Sequence, residues 1–357
     1  MVYGMSRKPK TVSVTSIAAE LGISPSAVSR AINNRAGVSE TVRTRVAGLL
    51  EKYHFRPAYP ASRLPRIAVV SGRGEVSPYL AGVLSGIYRY VQKGTLSATA
   101  VIHPTLETGK LLDLIRDQQC SGVILLVPAH FAEGLPKLAD AGLPIMLVDE
   151  TTSLPGCGFI DNDSYSGALE AARFLTGIGH RRIGCLGSRT PTENHRQRFL
   201  AWRNALAEIG LDPDPQLHLN SCPVSCNEME YGRYALTELL KDAPDITAVM
   251  AANDEIAAGA MAAARQLGRK IPEELSITGF DDNPFAVFLE PPLTTVRHDM
   301  EQAGYLAAEA LDAFLQKKTP LPRTILPTRL VVRNSCAPPY RGSHSPDSSS
   351  VSAAPEG

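Results

Sequence analysis

Residues 13–33 read SVTSIAAELGISPSAVSRAIN, a run that predicts two short helices joined by a tight turn. Ser13 is placed to cap the first helix, and Ile17, Ala18 and Leu21 recur at helical spacing behind it. Gly22 then supplies the left-handed residue that ends that helix. Ser24-Pro25 restarts it, because a serine hydroxyl satisfies orphan amides at a helix start and proline needs no donor at the first helical position. On the second helix Ala27, Val28, Ala31 and Ile32 form an inward stripe. Ser26, Ser29, Arg30 and Asn33 fall at i, i+3, i+4 and i+7 on the opposite face, where they can reach base edges or phosphates. A third helix, capped by Ser39 and buried through Val42, Val46, Leu49, Leu50 and Tyr53, completes a small three-helix core. The expectation is an all-α helix-turn-helix head that reads DNA.

Charge is distributed to suit that reading. Residues 1–66 hold eleven Lys or Arg against three acids, a balance of +8, while the rest of the 357-residue chain holds 25 against 33, a balance of −8. A formal net charge of zero therefore conceals a basic head on an acidic body. The head is suited to releasing counterions from a phosphate backbone, and the body is repelled by it.

With 44% hydrophobic residues the chain can bury a large core and is long enough for more than one domain. No apolar run reaches the roughly 18 residues of a membrane span, and the basic, polar start lacks a signal-peptide core, which points to the cytoplasm and to no membrane partner. The six cysteines are scattered. Cys222 and Cys226 have neither the spacing nor the second ligand pair of a structural zinc site, so reduced thiols and no metal are expected.

Beyond Arg66 short β-rich apolar runs alternate with amphipathic segments. Strands are predicted at 67–70, 98–102, 122–127, 145–148, 183–186, 248–251 and 276–279, and helices near 78–92, 110–119, 164–176, 195–209, 229–240, 254–267 and 300–316. Near-continuous apolar strands imply a parallel sheet covered on both faces, and such sheets bind ligands beyond the carboxyl ends of their strands. Polar residues follow four runs there: Asp149, Asp161-Asn162-Asp163, Asn253-Asp254 and Asp281-Asp282. Asp254, and Asp163 or Ser164, read as caps of the helices that follow. Asp149, Asn253 and Asp281 remain as ligand groups, and carboxylates and amides suit a polyol or sugar. Gly72-Arg73-Gly74-Glu75-Val76-Ser77 half resembles a dinucleotide fingerprint but lacks its third glycine and the acid about twenty positions on. With no nucleophile elbow, zinc-protease pair or phosphate-cradling loop either, no catalytic residue and no cofactor is expected. The stretch 337–357, rich in Ser, Pro and Gly, reads as a disordered tail, and residues 1–11 as a flexible basic arm.

These residues together resemble the LacI (lactose-repressor) family of bacterial transcription regulators over about 12–333. Ile17-Ala18-Ala19-Glu20-Leu21-Gly22-Ile23-Ser24 with Ala27-Val28-Ser29-Arg30-Ala31-Ile32-Asn33 is similar to the family's DNA-reading motif. Gly177-Ile178-Gly179-His180-Arg181-Arg182-Ile183, Ala252-Asn253-Asp254, Gly279-Phe280-Asp281-Asp282 and Pro292-Leu293-Thr294-Thr295-Val296 match signatures of its body. The resemblance implies a head over 12–57, a hinge over 58–66, and an α/β periplasmic-binding-protein-like (type I) body of two lobes connected by three crossings. The N-lobe would combine about 66–161 with 299–322, and the C-lobe about 162–296 with a last strand at 324–333. An effector would sit between the lobes, touched by Tyr79, Asp149, Arg198, Asn253, Asp281 and His298; Trp202 reads as core. On DNA, Pro25 and Ser26 would lead base reading with Arg30 and Asn33 further along, while Ser13, Ser24, Ser29 and Ser39 would contact the duplex around them, largely through phosphate.

One stretch departs from the family pattern. Ala58-Tyr59-Pro60-Ala61-Ser62-Arg63-Leu64-Pro65-Arg66 puts Leu64 where a minor-groove wedge would lie, but its prolines argue against a standard hinge helix. The functional expectation is a homodimeric regulator of a pseudo-palindromic double-stranded operator, gated by a small-molecule effector, a sugar or sugar derivative. The alternatives are a solute-binding protein built on the same body, which the basic head opposes, and a regulator without a small-molecule effector.

Overall fold

The computed structural model describes residues 13–32, 37–53, 64–72, 77–102, 107–126, 134–188, 192–221 and 226–339. Asn33, the basic arm, hinge residues 58–63, the incomplete glycine motif at 73–76, Cys222 and the tail from 340 lie outside them. The chain divides into two units, residues 1–64 and 65–357.

The first unit contains α1 (Val14–Leu21), α2 (Pro25–Ile32) and α3 (Glu40–Lys52). Ser13 and Ser16 form a reciprocal capping box, with the Ser16 amide donating to Ser13 Oγ at 3.2 Å and the Ser13 amide to Ser16 Oγ at 2.8 Å. Gly22 closes α1 at φ 66°, a conformation that costs glycine little and a β-branched residue a great deal. Ser24 and Ser39 cap the next two helices, accepting from the amides of Ala27 at 3.2 Å and Val42 at 3.4 Å. Ile17, Ala18, Val28 and Val46 are buried together, flanked by Leu21, Ala31, Ile32, Val42, Leu49 and Leu50. Tyr53 is the exception to the expected core. It is 37% exposed, and its hydroxyl donates to Glu20 Oε2 at 2.8 Å, because a phenol one residue past α3 gains more from a carboxylate than from burial.

The second unit is built on two six-stranded sheets. The first runs β11-β5-β4-β3-β1-β2 and is parallel throughout: β1 (Arg66–Ser71), β2 (Ser97–Ile102), β3 (Gly122–Leu126), β4 (Ile145–Val148), β5 (Cys157–Asn162) and β11 (Arg323–Leu326). Ile67 and Val69 of β1 point into one core with α4 (Pro78–Val91) and α11 (Met300–Lys317). Ala68 and Val70 point into another with α5 (Thr108–Asp117) and α6 (Leu135–Asp140). A sheet covered on both faces requires this double apolar alternation. The second sheet runs β12-β10-β9-β8-β6-β7 and is parallel save for the antiparallel β10–β12 pair. It comprises β6 (Ile183–Leu186), β7 (His218–Leu219), β8 (Ala248–Ala251), β9 (Ser276–Asp281), β10 (Thr294–Arg297) and β12 (Arg329–Val331). α7 (Ser164–Gly177), α8 (Glu193–Glu208), α9 (Glu228–Asp242) and α10 (Asp254–Gln266) accompany it. Trp202 is core, its indole donating to the Ile183 carbonyl at 3.1 Å.

Paired helices meet at glycine in each lobe. A Cβ on Gly86 of α4 would lie 1.8 Å from the Glu301 carbonyl oxygen of α11, and one on Gly304 2.1 Å from that of Val83. Gly232 and Gly259 do the same for α9 and α10. Side-chain-free contacts bring these backbones closer than ordinary ridge-into-groove packing allows.

Three short segments cross between the lobes: Asp163, residues 298–299 and residues 327–328. Two corrections arise at the third crossing and beyond. The expected last strand of the C-lobe is two strands in two sheets, since Thr324 pairs with Ile160 in the first and Leu330 with Val296 in the second. Pro327 has no amide to continue a ladder, so the chain leaves one sheet there and joins the other two residues later. Nor does the expected disordered tail begin at Ala337. Ser335 exchanges backbone and hydroxyl bonds with Ile277, and the Ala337 carbonyl accepts from His180 Nε2 at 2.9 Å, so the described chain runs to Pro339. No helix among the described residues is long and apolar enough to cross a membrane.

Candidate functional sites: an exposed helix face and an interlobe cleft

In the first unit the caps fix where α2 begins and the Val28 stripe fixes which way it faces. Pro25, Ser26, Ser29 and Arg30 are all exposed. Ser26 Oγ lies 2.9 Å from Ser24 Oγ at the amino end of the helix. A Cβ on Gly37 would stand 3.6 Å from Arg30 Nη1, so the guanidinium extends toward Gly37, three residues before α3. Among the described residues three of the head's cations are engaged within it: Arg43 pairs with Glu40 at 3.8 Å, Arg45 donates to the Leu21 carbonyl at 3.4 Å, and Lys52 pairs with Glu20 at 3.3 Å. Leu64, the last residue of this unit, is 36% exposed.

In the second unit a buried polar network joins the carboxyl ends of the strands of both lobes. Asp149 directly follows β4, and Asp161 and Asn162 end β5. From the other lobe come Asn194 and Arg198, one turn apart on α8, Ser164 at the start of α7, and Asp281 at the end of β9. Asn162 Nδ2 donates to Asp149 Oδ1 at 2.6 Å, and Asn194 Nδ2 lies 3.0 Å from the same oxygen and 2.9 Å from Asp161 Oδ1. Ser164 Oγ donates to Asn162 Oδ1 at 2.7 Å and receives Arg198 Nε at 3.3 Å. Arg198 also donates to the Ala252 carbonyl at 2.6 Å, stacks on the Phe280 ring at 3.6 Å and lies 3.9 Å from Asp281. His298 Nε2 donates to Asp281 Oδ1 at 3.1 Å, and Tyr79 stacks on the His298 ring at a centroid distance of 6.2 Å.

Strand ends position these groups at a cost. Asp149 has φ 65°, Asp281 φ 111° and Asp282 φ 55°. Non-glycine residues in this region store about 1–3 kcal/mol each, and such strain collects where a side chain is held for use. Burial dominates the electrostatics: it pushes the Asp161 carboxyl up, against hydrogen bonds from Asn194 and the Asn162 amide and the charges of Arg198 and His298. Glu150, beside Asp149, is pushed up to about 7 by burial and then by Asp161, Asp149 and Glu193. Outside the network's immediate contacts, Asp282 takes both Arg297 and Arg333. The space enclosed by Tyr79, Asp149, Asp161, Asn162 and His298 is about 10 Å³, room for about one water, whereas a cavity of about 640 Å³ opens alongside His298 between Pro78, Gly82, Asp281 and Phe285.

Of the residues singled out from the sequence, the structure brings Tyr79, Asp149, Arg198, Asp281 and His298 into this one neighbourhood. The adjacent pair Asn253 and Asp254 exchange expected places. Asn253 is the cap of α10, its Oδ1 accepting from the Ile256 amide at 2.8 Å. Asp254, expected as that cap, is fully buried, accepting from Thr295 Oγ1 at 2.5 Å and the Asn283 amide at 2.7 Å, and burial, then the charge of Asp281, raises its carboxyl well above the usual range. The extended backbone of Asn253 satisfies cap geometry one residue earlier than expected. Asp163 caps α7 as expected. Sequence reasoning missed Asn194 and Ser164. Asn194 could have been found, because it stands four residues before Arg198 and so shares its helix face.

A three-helix head with one polar helix face, joined in sequence to a two-lobed α/β body with a polar interlobe cleft, is the make-up of a helix-turn-helix transcriptional regulator. The comparisons with known proteins agree. Residues 172–336 match the model of the periplasmic binding protein-like domain. The HTH-type transcriptional regulator CelR of Thermobifida fusca is 30% identical over 335 residues, covering 89% of this chain and 96% of its own. A solved CelR–cellobiose complex has a TM-score of 0.69 at 26% identity, covering 91% of this chain and 99% of that one. The lac repressor dimer solved with operator and the anti-inducer ONPF, at 21% identity and a TM-score of 0.73 over 92% of this chain and all of that one, shares the fold. The chain belongs to the LacI family of helix-turn-helix transcriptional regulators, and is not an enzyme.

Proposed function

We propose that this regulator acts in the cytoplasm as a homodimer on a pseudo-palindromic operator, with its affinity for DNA set by a sugar or sugar derivative held between the lobes. The observation that carries the effector half is the convergence of Asp149, Asn194, Arg198, Asp281 and His298 from both lobes on one buried network. Carboxylates, amides and an imidazole in fixed orientation match the donor and acceptor edges of a polyol, and Tyr79 adds an aromatic face beside His298. CelR, solved with cellobiose, supports a saccharide as the class. On the DNA side, Pro25 offers apolar contact and Ser26 and Arg30 polar contact to base edges, with Asn33 next along; Ser13, Ser24, Ser29 and Ser39 bind the backbone, and Leu64 is the wedge candidate.

Because the network's groups bond to one another across the cleft, an effector must replace these bonds, and it acts by favouring one lobe arrangement over another. The test is selection of an operator from random duplexes by the full chain, followed by anisotropy titration with mono- and disaccharides. The expected result is a two-fold-symmetric site whose affinity changes with at least one sugar. Selection of no symmetric sequence would overturn the DNA half, and indifference to every sugar the effector half.

A further inference from the structure

Resting on the homodimer reading, we infer that two copies meet through the face that bears Phe288, and that each copy's Phe288 ring seats in the other's groove beside His298.

Phe288 is 84% exposed, more than any other large apolar side chain among the described residues, and its neighbour Val287 is 45% exposed. The ring is held out by a fixed backbone. Val287 and Phe288 stand on a short 3-10 helix, Ala286–Phe288, whose Ala286 is fully buried. The Ala286 amide donates to the Asn283 carbonyl at 2.8 Å, the Leu293 amide to the Ala286 carbonyl at 2.9 Å, and the Phe288 amide to the Phe285 carbonyl at 2.9 Å. An aromatic presented this way loses little backbone freedom on docking, which is what an anchor residue requires.

The cavity of about 640 Å³ lies on the same face. Pro284 and Phe285 line it from the second lobe, and Pro78, Ala81 and Gly82 from the first turns of α4. Exposed Ser85 and Tyr88 continue the α4 surface at one-turn spacing from Ala81. The charged groups of the lining already have partners within the chain: Asp281 has His298, Asp282 has Arg297 and Arg333, Glu301 has Arg89, and Asp299 accepts from the Gln302 amide. The groove therefore calls for neither an ion nor a hydroxyl-rich ligand, and what it leaves open is apolar. A second copy fits best, because the chain carries both the knob and, three residues earlier, a wall of the groove. A two-fold axis at this face lets each copy supply the ring that the other receives, the reciprocal contact of an isologous dimer. Charge permits the approach as well. The chain beyond residue 66 has a balance of −8, so two bodies repel where acids stand unmatched, and on this face they are matched. Asp281 and His298 belong both to the groove and to the interlobe network, so a docked ring rests against groups that hold the lobes.

The test is sedimentation velocity of the full chain over a range of concentrations, for wild type, Phe288→Ala, Ala81→Arg and an equimolar mixture of the two variants. Both positions are exposed, so circular dichroism should show each variant folded. Phe288→Ala removes two rings per dimer and should raise the dimer dissociation constant at least about 30-fold. Ala81→Arg puts a long cation at the groove and should act in the same direction. The mixture should form a heterodimer tighter than either variant's own dimer, since Phe288 of the Ala81→Arg copy meets an open groove on the Phe288→Ala copy. A Phe288→Ala protein that dimerises like wild type overturns the inference. So does a mixture that gains nothing, which would place the ring elsewhere in the interface. Dimers indifferent to both variants, with an apolar dye bound by wild type and lost from Ala81→Arg, would assign the groove to an apolar small molecule instead. A wild-type chain that stays monomeric at every concentration overturns the homodimer reading itself.

Discussion

At Glu150 protonation and folding are linked in a direction opposite to that of most surface acids. Burial and the charges of Asp161, Asp149 and Glu193 move its carboxyl from the ordinary 4.5 to about 7. Between those values the folded protein keeps a proton that the unfolded chain has lost, so stability falls as pH rises through the window. Glu150→Gln abolishes the loss. After allowance for the solvent reaching a half-buried group, the variant should match wild type near ~pH 4 and exceed it by about 1–2 kcal/mol near ~pH 8. Urea denaturation of both proteins across this range checks it, and parallel curves would remove the electrostatic account. In the head, Arg30 stands on the exposed face of α2 with its guanidinium extended toward residue 37. Arg30→Ala should weaken operator binding by about 1–3 kcal/mol at fixed salt. Because Arg30 is outside the Ile17–Val28–Val46 core, the head's melting temperature should hardly change, and an affinity loss accompanied by unfolding would point to a structural role instead.

Elements were legible where a single period ran long enough. The head's helices declare themselves through Ser13, Gly22, Ser24-Pro25 and Ser39, all local signals, and each helix starts at the capping serine. In the body, β1, β3, β4, β6, β8 and β9 stand out as apolar runs buried on both faces. The missed or merged strands fail for identifiable reasons: β5 carries Gly158 and ends in Asp161-Asn162, β7 is two residues long, β10 begins Thr-Thr, and β11 is half exposed in alternation and divided from β12 only by Pro327-Thr328. Strand-end acids exposed part of the site, but a helix such as α8 hides Asn194 among many surface polar residues. The glycine crossings are another feature that sequence alone does not reveal, since their meaning depends on which helices pair. Gly86→Ala would drive a methyl into the Glu301 carbonyl, and even after the helices part it should cost about 1–3 kcal/mol. Gly109→Ala on α5, where a Cβ meets nothing within 4 Å, should be neutral or slightly stabilising by comparison. Equal melting temperatures for the two variants would mean that α4 and α11 are not packed through Gly86.

For the molecule as a whole, the proposed function requires a free energy shared between two sites on one chain. The lobes are joined by three crossings, two of which are tied together: the Asp163 amide donates to the Leu326 carbonyl at 2.9 Å, and Thr328 Oγ1 donates to the Asp163 carbonyl at 2.9 Å. The third passes His298, whose imidazole holds Asp281. A ligand that changes the bonds of Asp149, Asn194, Asp281 or His298 therefore acts where the chain passes between lobes, and biases their arrangement rather than only filling a hole. Coupling of about 1–3 kcal/mol would alter operator affinity about 5- to 150-fold, and linkage requires operator to alter effector affinity by the same factor. The two factors should be measured separately, by anisotropy of labelled operator at saturating sugar and by calorimetry of the sugar with and without operator. Asn194→Ala removes the amide that reaches across from α8 to both Asp149 and Asp161, so it should shrink both factors together while leaving half-site recognition by α2 unchanged. An insertion within 58–63 should shrink them as well, since that segment is the only covalent route from body to head. If sugar affinity proves identical in the presence and absence of operator while operator affinity still responds to sugar, linkage is violated for a single binding equilibrium. The response would then have to arise from a change in assembly state, which repeating the titrations across protein concentrations would detect.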